Sequence, residues 1–154
     1  MQPSNLKQVS KVIIIGPTRE TMTIGKAIGA IASRSIKVEK ILTVVPPSDR
    51  KLERKELLPR LKEKLSGADD STMVVTDFGD VRPYKSEEIA RDVKENSNNA
   101  TVVLLTSKPE CVGKPEKFAA LVSERGFNPN EILPKIDYIF QYTGQGELIH
   151  MMVG

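Results

Sequence analysis

Six short apolar runs, most of them separated by helix-length amphipathic stretches, constrain this chain more than any other feature. The runs are "KVIIIG" (11–16), "VEKILTVV" (38–45), "STMVVTDF" (71–78), "ATVVLLTS" (100–107), "DYIFQY" (137–142) and "ELIHMMV" (147–153). Runs of that length, bounded by Gly, Pro and polar residues, read as strands rather than helices. Between the first two, "TIGKAIGAIAS" (23–33) places Ile24, Ala27, Ile28 and Ile31 on one helical face. "RKLERKELLPRLKEKL" (50–65) carries a stripe of Leu52, Leu57, Leu58, Leu61 and Leu65; Pro59 predicts a kink or restart, and Gly67 ends it. "KSEEIARDVKEN" (85–96) has Ser86 as a candidate N-cap. "KPEKFAALVSERG" (114–126) has Pro115 in its first turn, apolar Phe118, Leu121 and Val122, and Gly126 as its stop.

Strands alternating with helices imply an α/β fold: a Rossmann-like, mostly parallel sheet with helices on both faces. The last two runs have no helix between them, only "TGQG" (143–146), so they predict a C-terminal antiparallel β-hairpin. A Rossmann-like start gives a strand order of about 3-2-1-4-5. Ligands on such sheets bind beyond the carboxyl ends of the strands, where the winding direction reverses. That order sets the loop "GPTRETM" (16–22) opposite "TSKPECVGK" (106–114) across one crevice. Residues 1–10 read as a flexible N-terminal segment and 11–154 as a single domain.

Composition narrows the function. A net charge of +3 suits a small anionic ligand better than a polynucleotide, and 5% aromatic content without Trp provides few platforms for stacking bases. Long nucleic acid is therefore not expected as a partner. The basic stretch Arg50-Lys51-Leu52-Glu53-Arg54-Lys55 is interrupted by an acid and reads as a solvated helix face. One cysteine, Cys111, leaves no internal disulfide and fits a reducing, cytoplasmic setting. No apolar run approaches the roughly 18 residues of a membrane span. His150 is the only histidine and no Cys/His cluster exists, so no metal site and no cofactor are expected.

The first loop offers Thr18, Arg19, Thr21 and the backbone amides at a helix start, which favour anions; Arg19 suits bidentate phosphate pairing. The same residues also describe an ordinary strand-to-helix turn with a Thr cap and Arg in solvent. The loop after the fourth strand offers Thr106, Ser107, Lys108 and Lys114, hydroxyls and amines suited to phosphate or sugar, in a sequence equally common in exposed loops. After the third strand, Asp77, Asp80, Arg82, Tyr84 and Lys85 suit either magnesium or pairing with neighbours, and Tyr84 either base stacking or packing. A Cys111–His150 nucleophilic pair requires the hairpin to fold over the crevice. No nucleophile elbow and no G-x-G-x-x-G motif is present.

This layout resembles the CRISPR-associated Rossmann fold family, the CARF domains, over about residues 11 to 153. The resemblance rests on a strand ending in Gly with a Thr-bearing turn, "VVPPS" after the second strand, a third strand ending in "TDF", a hydroxyl-and-lysine loop after the fourth strand, and the terminal hairpin. It implies a domain that binds cyclic oligoadenylate, the second messenger of type III CRISPR defence, as a homodimer with the ring across the two-fold axis. Carried over residue by residue, the ligand contacts are Gly16, Thr18, Arg19, Thr106, Ser107 and Lys108, with Lys114 as an addition. A free-standing member resembles a ring nuclease, which cleaves without metal: a ribose 2′-hydroxyl attacks the adjacent phosphorus and leaves a 2′,3′-cyclic phosphate end. Ser107 or Thr18 would orient the hydroxyl, and Lys108 or Arg19 would offset phosphoryl charge. Pro109 and Cys111 interrupt the tighter Gly-rich segment that family members often carry there.

Two other readings stand beside this one. A nucleotide sensor or assembly subunit would share the fold and bind without cleaving. A degenerate TOPRIM-like relative is suggested by "VIIIGPTRETMTIGKAI" and "VVTDFGD", but Gly16 stands where that chemistry needs a glutamate, and Gly79 breaks the aspartate pair.

Overall fold

A computed structural model describes residues 9–16, 37–43, 54–67, 71–78, 80–81, 84–96, 99–106, 113–142 and 148–152. The main sheet is built from β1 (Lys11–Gly16), β2 (Lys37–Thr43), β3 (Thr72–Asp77), β6 (Thr101–Thr106), β7 (Tyr138–Tyr142) and β8 (Leu148–Met152). A short ribbon, β4 (Asp80–Val81) with β5 (Tyr84–Lys85), follows β3. The helices are α1 (Arg54–Leu65), α2 (Ser86–Asn96), α3 (Pro115–Glu124) and α4 (Pro129–Ile132), the last continued by a 3₁₀ turn over Leu133–Lys135. No helix among the described residues is long and apolar enough to cross a membrane.

The expected order of 3-2-1-4-5 is corrected. The sheet runs β2-β1-β3-β6-β7-β8, so the third strand lies inside, between β1 and β6, and the second lies at the edge. All neighbours are parallel except β7 and β8, which pair antiparallel. Both orders satisfy the strand–helix alternation; side-chain character separates them. β3 is buried along nearly its whole length, which requires cover on both faces and partners on both edges. β2 carries Lys37, Glu39 and Lys40 within its seven residues, and charges of that kind mark an edge. β2 also holds one residue more than β1 opposite it, since the register steps from Ile14↔Lys40 to Ile15↔Leu42.

Period-two alternation divides the core in two. On one face Ile13, Ile15, Val74, Val102, Leu104 and Ile139 meet α1 through Leu61 and Leu65, α2 through Ile89, Ala90 and Val93, α3 through Phe118 and Val122, and α4 through Ile132. On the other, Val12, Ile14, Met73, Val75, Val103, Leu105, Tyr138 and Phe140 form a second buried layer. Val9 joins this layer at 1% exposure, and the Ser10 amide donates to Ser71 O at 2.8 Å. Packing thus starts two residues before the expected domain boundary at Lys11. The helix expected over 23–33 and the turn at 143–146 lie outside the described residues.

α1 continues through Pro59, which is exposed, and the chain leaves it at Gly67 in the left-handed region at φ 80°. α3 begins at Pro115 and gives way to Gly126 at φ 93°. At the amino end of the sheet Asp137 ties β7 to β6. Its carboxylate accepts from the Val102 amide at 2.7 Å and from Lys94 Nζ at 3.0 Å, and its own amide donates to Val102 O at 3.0 Å. Lys94 also donates to Ala100 O at 2.6 Å.

Tyr138, next along, is 2% exposed. Burial first, and the Asp137 carboxylate second, push its hydroxyl above the ordinary tyrosine value of 10.0. A group held neutral in the fold and free to ionise when unfolded contributes stability below the unfolded pKa and loses it as pH rises through the folded one. Chemical-denaturation midpoints are expected to fall as pH rises beyond about 10, and Tyr138→Phe should flatten part of that fall. An unchanged alkaline slope in Tyr138→Phe would remove the assignment.

Candidate functional site

The corrected strand order moves the crevice. β1 leads to β2 on one side, and every later strand is laid on the other, so the winding reverses between β1 and β3. The second wall is therefore the β3–α2 connection, which contains the β4–β5 ribbon. The carboxyl end of β6 is not adjacent to that of β1, because β3 lies between them. The separation of Gly16 from Thr106 is two strand spacings, about 10 Å.

Of the residues that sequence reasoning selects, Gly16, Thr106 and Lys114 are among those described. Gly16 ends β1 opposite Thr43 of β2. Thr106 ends β6 opposite Gln141 of β7 and is 3% exposed. Lys114 is exposed at the start of α3, where its carbonyl accepts from the Lys117 amide at 3.1 Å and its side chain makes no cap bond. Gly113 before it has φ 94°, a left-handed turn that admits the chain to the helix. Thr18, Arg19, Ser107 and Lys108 lie outside the described residues, as do Arg82 and Cys111. Asp80 stands opposite Lys85, and Val81 opposite Tyr84, in the ribbon. His150 lies in β8, opposite Phe140 in the register. Among the described residues no group of three metal-ligating side chains is brought together.

Of the residues that shape the carboxyl end of β3, sequence reasoning singled out Asp77 and Lys85 but not Phe78, Glu87 or Arg125. Asp77 closes the strand opposite Leu105, and the Phe78 amide continues the ladder to Leu105 O at 2.6 Å. Below them, Glu87 in the first turn of α2 is fully buried and receives Arg125 from the end of α3 through two bonds, Nε to Oε2 at 2.5 Å and Nη2 to Oε1 at 2.8 Å. The Ser86 hydroxyl donates to Glu87 Oε1 at 2.8 Å, so this expected cap residue serves the carboxylate instead. The Arg125 guanidinium lies 4.7 Å from the Phe78 ring centre, and Phe78 packs edge-on against Phe118 at 5.3 Å. Lys85 Nζ donates to Arg125 O at 3.1 Å. Nearby, Arg91 pairs with Glu131 at 2.9 Å and lies 5.7 Å from the Phe127 ring centre.

This network fixes one wall of the crevice. A buried carboxylate needs its cation and its hydrogen bonds together, and a two-pronged Arg contact fixes orientation as well as charge. Glu87 thus sets the protein's own buried negative charge, paired with Arg125, in the first turn of α2. Sequence could show Glu87 as a first-turn acid and Arg125 beside a helix stop; their pairing across 38 residues leaves no local signature.

Thr76, one residue before Asp77, is fully buried, and its hydroxyl has no hydrogen-bond partner among the described residues. A buried unpaired hydroxyl costs about 1–3 kcal/mol.

No family model and no curated protein matches the chain. Among solved structures it is similar to one described as the crystal structure of the SepCysS-SepCysE N-terminal domain complex, with a TM-score of 0.47 and 10% sequence identity. The alignment covers 98% of this chain and 40% of that one. At that score and identity the likeness carries nothing about ligand or activity.

Two substitutions test the wall. Arg125→Ala should destabilise by about 3–5 kcal/mol, because it strands the buried Glu87 charge; adding Glu87→Gln should recover part of the loss. Equal stability of single and double variants in urea titration would show that the pair is not coupled. Thr76→Val should leave the unfolding temperature unchanged or raise it, whereas a clear fall would reveal a partner for the hydroxyl.

Proposed function

We propose that this chain binds a cyclic oligoadenylate across the carboxyl ends of β1, β3 and β6, and that it acts as a homodimer in type III CRISPR defence. The ligand class comes from the resemblance of the sequence to CARF domains. The observation that supports a ligand at this edge is the reversal of winding between β1 and β3, the place where open parallel sheets present their ligand-binding loops.

The shape of the edge suits a ring better than a single phosphate. Gly16 and Thr106 belong to separate strand ends with β3 between them. A lone phosphate would use one loop, whereas a ring of linked nucleotides spans both. Phosphates on the Gly16 side would meet the backbone of the first loop with Thr18 and Arg19; those on the Thr106 side would meet Ser107, Lys108 and Lys114. Between them Asp77 ends β3, and a carboxylate suits ribose hydroxyls or an adenine amine, not phosphate.

Cleavage at this site needs no metal. A ribose 2′-hydroxyl, oriented by Ser107 or Thr18, loses its proton and attacks the adjacent phosphorus. The P–O5′ bond breaks, the leaving oxygen takes a proton, and the product is linear with a 2′,3′-cyclic phosphate. Lys108 offsets charge on the phosphoryl oxygens in the transition state.

Labelled cyclic tetra-adenylate and hexa-adenylate, mixed with the protein without metal, distinguish the readings. At least one ring is expected to bind, and Lys108→Ala should weaken it about tenfold or more, the size of a lost charge-assisted hydrogen bond. A linear product identifies a ring nuclease, and binding without product identifies a sensor. Failure of both rings to bind overturns the reading.

A further inference from the structure

The carboxyl end of β3 has two unlike faces. Alternation along the strand sets Val74 in the layer under the helices and Met73 and Val75 in the other. Phe78 packs in the helix-side layer, edge-on against Phe118 and beside the Arg125 guanidinium. Asp77 falls on the opposite face, that of Met73, Val75 and its ladder partner Leu105. It is half-buried, whereas the five residues of β3 before it are buried. On its β1 flank the register sets Gly16 one step beyond the Ile15–Thr76 pair, so no side chain of β1 stands level with the carboxylate. A carboxylate accepts hydrogen bonds from hydroxyls and amines and has room for several. The interaction that Asp77 makes within the chain therefore leaves capacity for a ligand group.

We propose that Asp77 accepts a hydrogen bond from a ribose 2′-hydroxyl of the ring, and so makes the site select ribonucleotides over deoxyribonucleotides. This inference rests on the cyclic-oligoadenylate reading and names the group of that ligand which meets β3. Gly16 and Thr106 end the strands on either side of β3, each about 5 Å from it. Two phosphates held beside those ends leave between them whatever joins neighbouring phosphates in the ring, and that is one ribose. The base branches off this line at C1′, whereas the 2′-hydroxyl sits on the carbon next to the linkage. The hydroxyl, not the adenine amine, is therefore the donor that falls at Asp77. Charge sets the same register of ring on protein. A phosphate placed at β3 would meet a like charge, and a ribose placed there meets none. The 2′-hydroxyl is what tells the two kinds of nucleotide apart. A site that bonds a hydroxyl discriminates against the analogue lacking it, because its own polar group is then left unpaired. The bond serves binding alone, so it holds whether the ring is cleaved or only bound.

The test is a set of metal-free binding titrations on the whole chain. The probes are cyclic tetra-adenylate and hexa-adenylate, the same rings built from 2′-deoxyadenosine, and the same rings built from inosine, which lacks the amine. The wild type is expected to bind a ribose ring about tenfold or more tighter than its deoxy counterpart, the size of one lost charge-assisted hydrogen bond. Asp77→Ala should weaken the ribose ring and leave the deoxy ring nearly unchanged, so that the two affinities converge; structural damage alone would weaken both alike. Asp77→Asn keeps the size and a neutral acceptor, and its discrimination should fall between the two. If Asp77→Ala does not fold by circular dichroism, Asp77→Asn decides, with discrimination below the wild type expected. Failure of the wild type to bind any ring overturns the functional reading and this inference together. Binding with a ribose-to-deoxy ratio that the folded variants leave unchanged overturns this inference alone. Variants that lose the preference for adenosine over inosine, and keep the preference for ribose, assign the carboxylate to the adenine amine and also overturn it.

Discussion

The structure depends on the position of β3. This strand pairs with β1 on one side and β6 on the other, and it is buried along nearly its whole length. Every parallel neighbour beyond it is placed through it. Met73 and Val75 belong to one core layer and Val74 to the other, the same division that β1, β6 and β7 make on either side of it. Its carboxyl end also defines where the winding reverses, and hence where a ligand would lie.

Around that end the protein uses charge to build rigidity. Glu87 and Arg125 bring α2 and α3 together under Phe78, and Lys85 adds a bond to the same turn. At the other end of the sheet, Asp137 and Lys94 hold the start of β7 against β6. The two clusters differ in what they constrain. Asp137 satisfies the backbone of a strand, whereas the Glu87 network orients a connection beside the candidate crevice.

Much of this was legible in the residues. The apolar runs located β1, β3 and β6 within a residue or so, and Pro115 and Gly126 bounded α3 closely because each has a local conformational reason to be there. Strand order was misread, although the signal was present: Lys37, Glu39 and Lys40 mark β2 as an edge, while Met73, Val74 and Val75 mark β3 as interior. The short helix at Pro129–Ile132 escaped notice because four residues show no periodicity; its start lies in Asn128, whose side chain accepts from the Asn130 amide at 3.0 Å. Gly16 and Thr106 were readable as the ends of β1 and β6. The Glu87–Arg125 clasp was not, since a contact between distant helices is a property of the assembled fold.

The step in register along β2 bears on how this chain tolerates change in length. Ile41 is the residue by which β2 exceeds β1. Its loss would restore an unbroken one-to-one ladder from Lys37 to Thr43 without disturbing the interior strands. Elsewhere in the sheet the pairing of β3 with β1 and β6 runs without a step, and removing one residue there would exchange the two faces of a buried strand. Loss of this one residue is thus the length change that the described strands admit most readily, and relatives of the chain that are shorter by one residue within a strand would be expected to lack it.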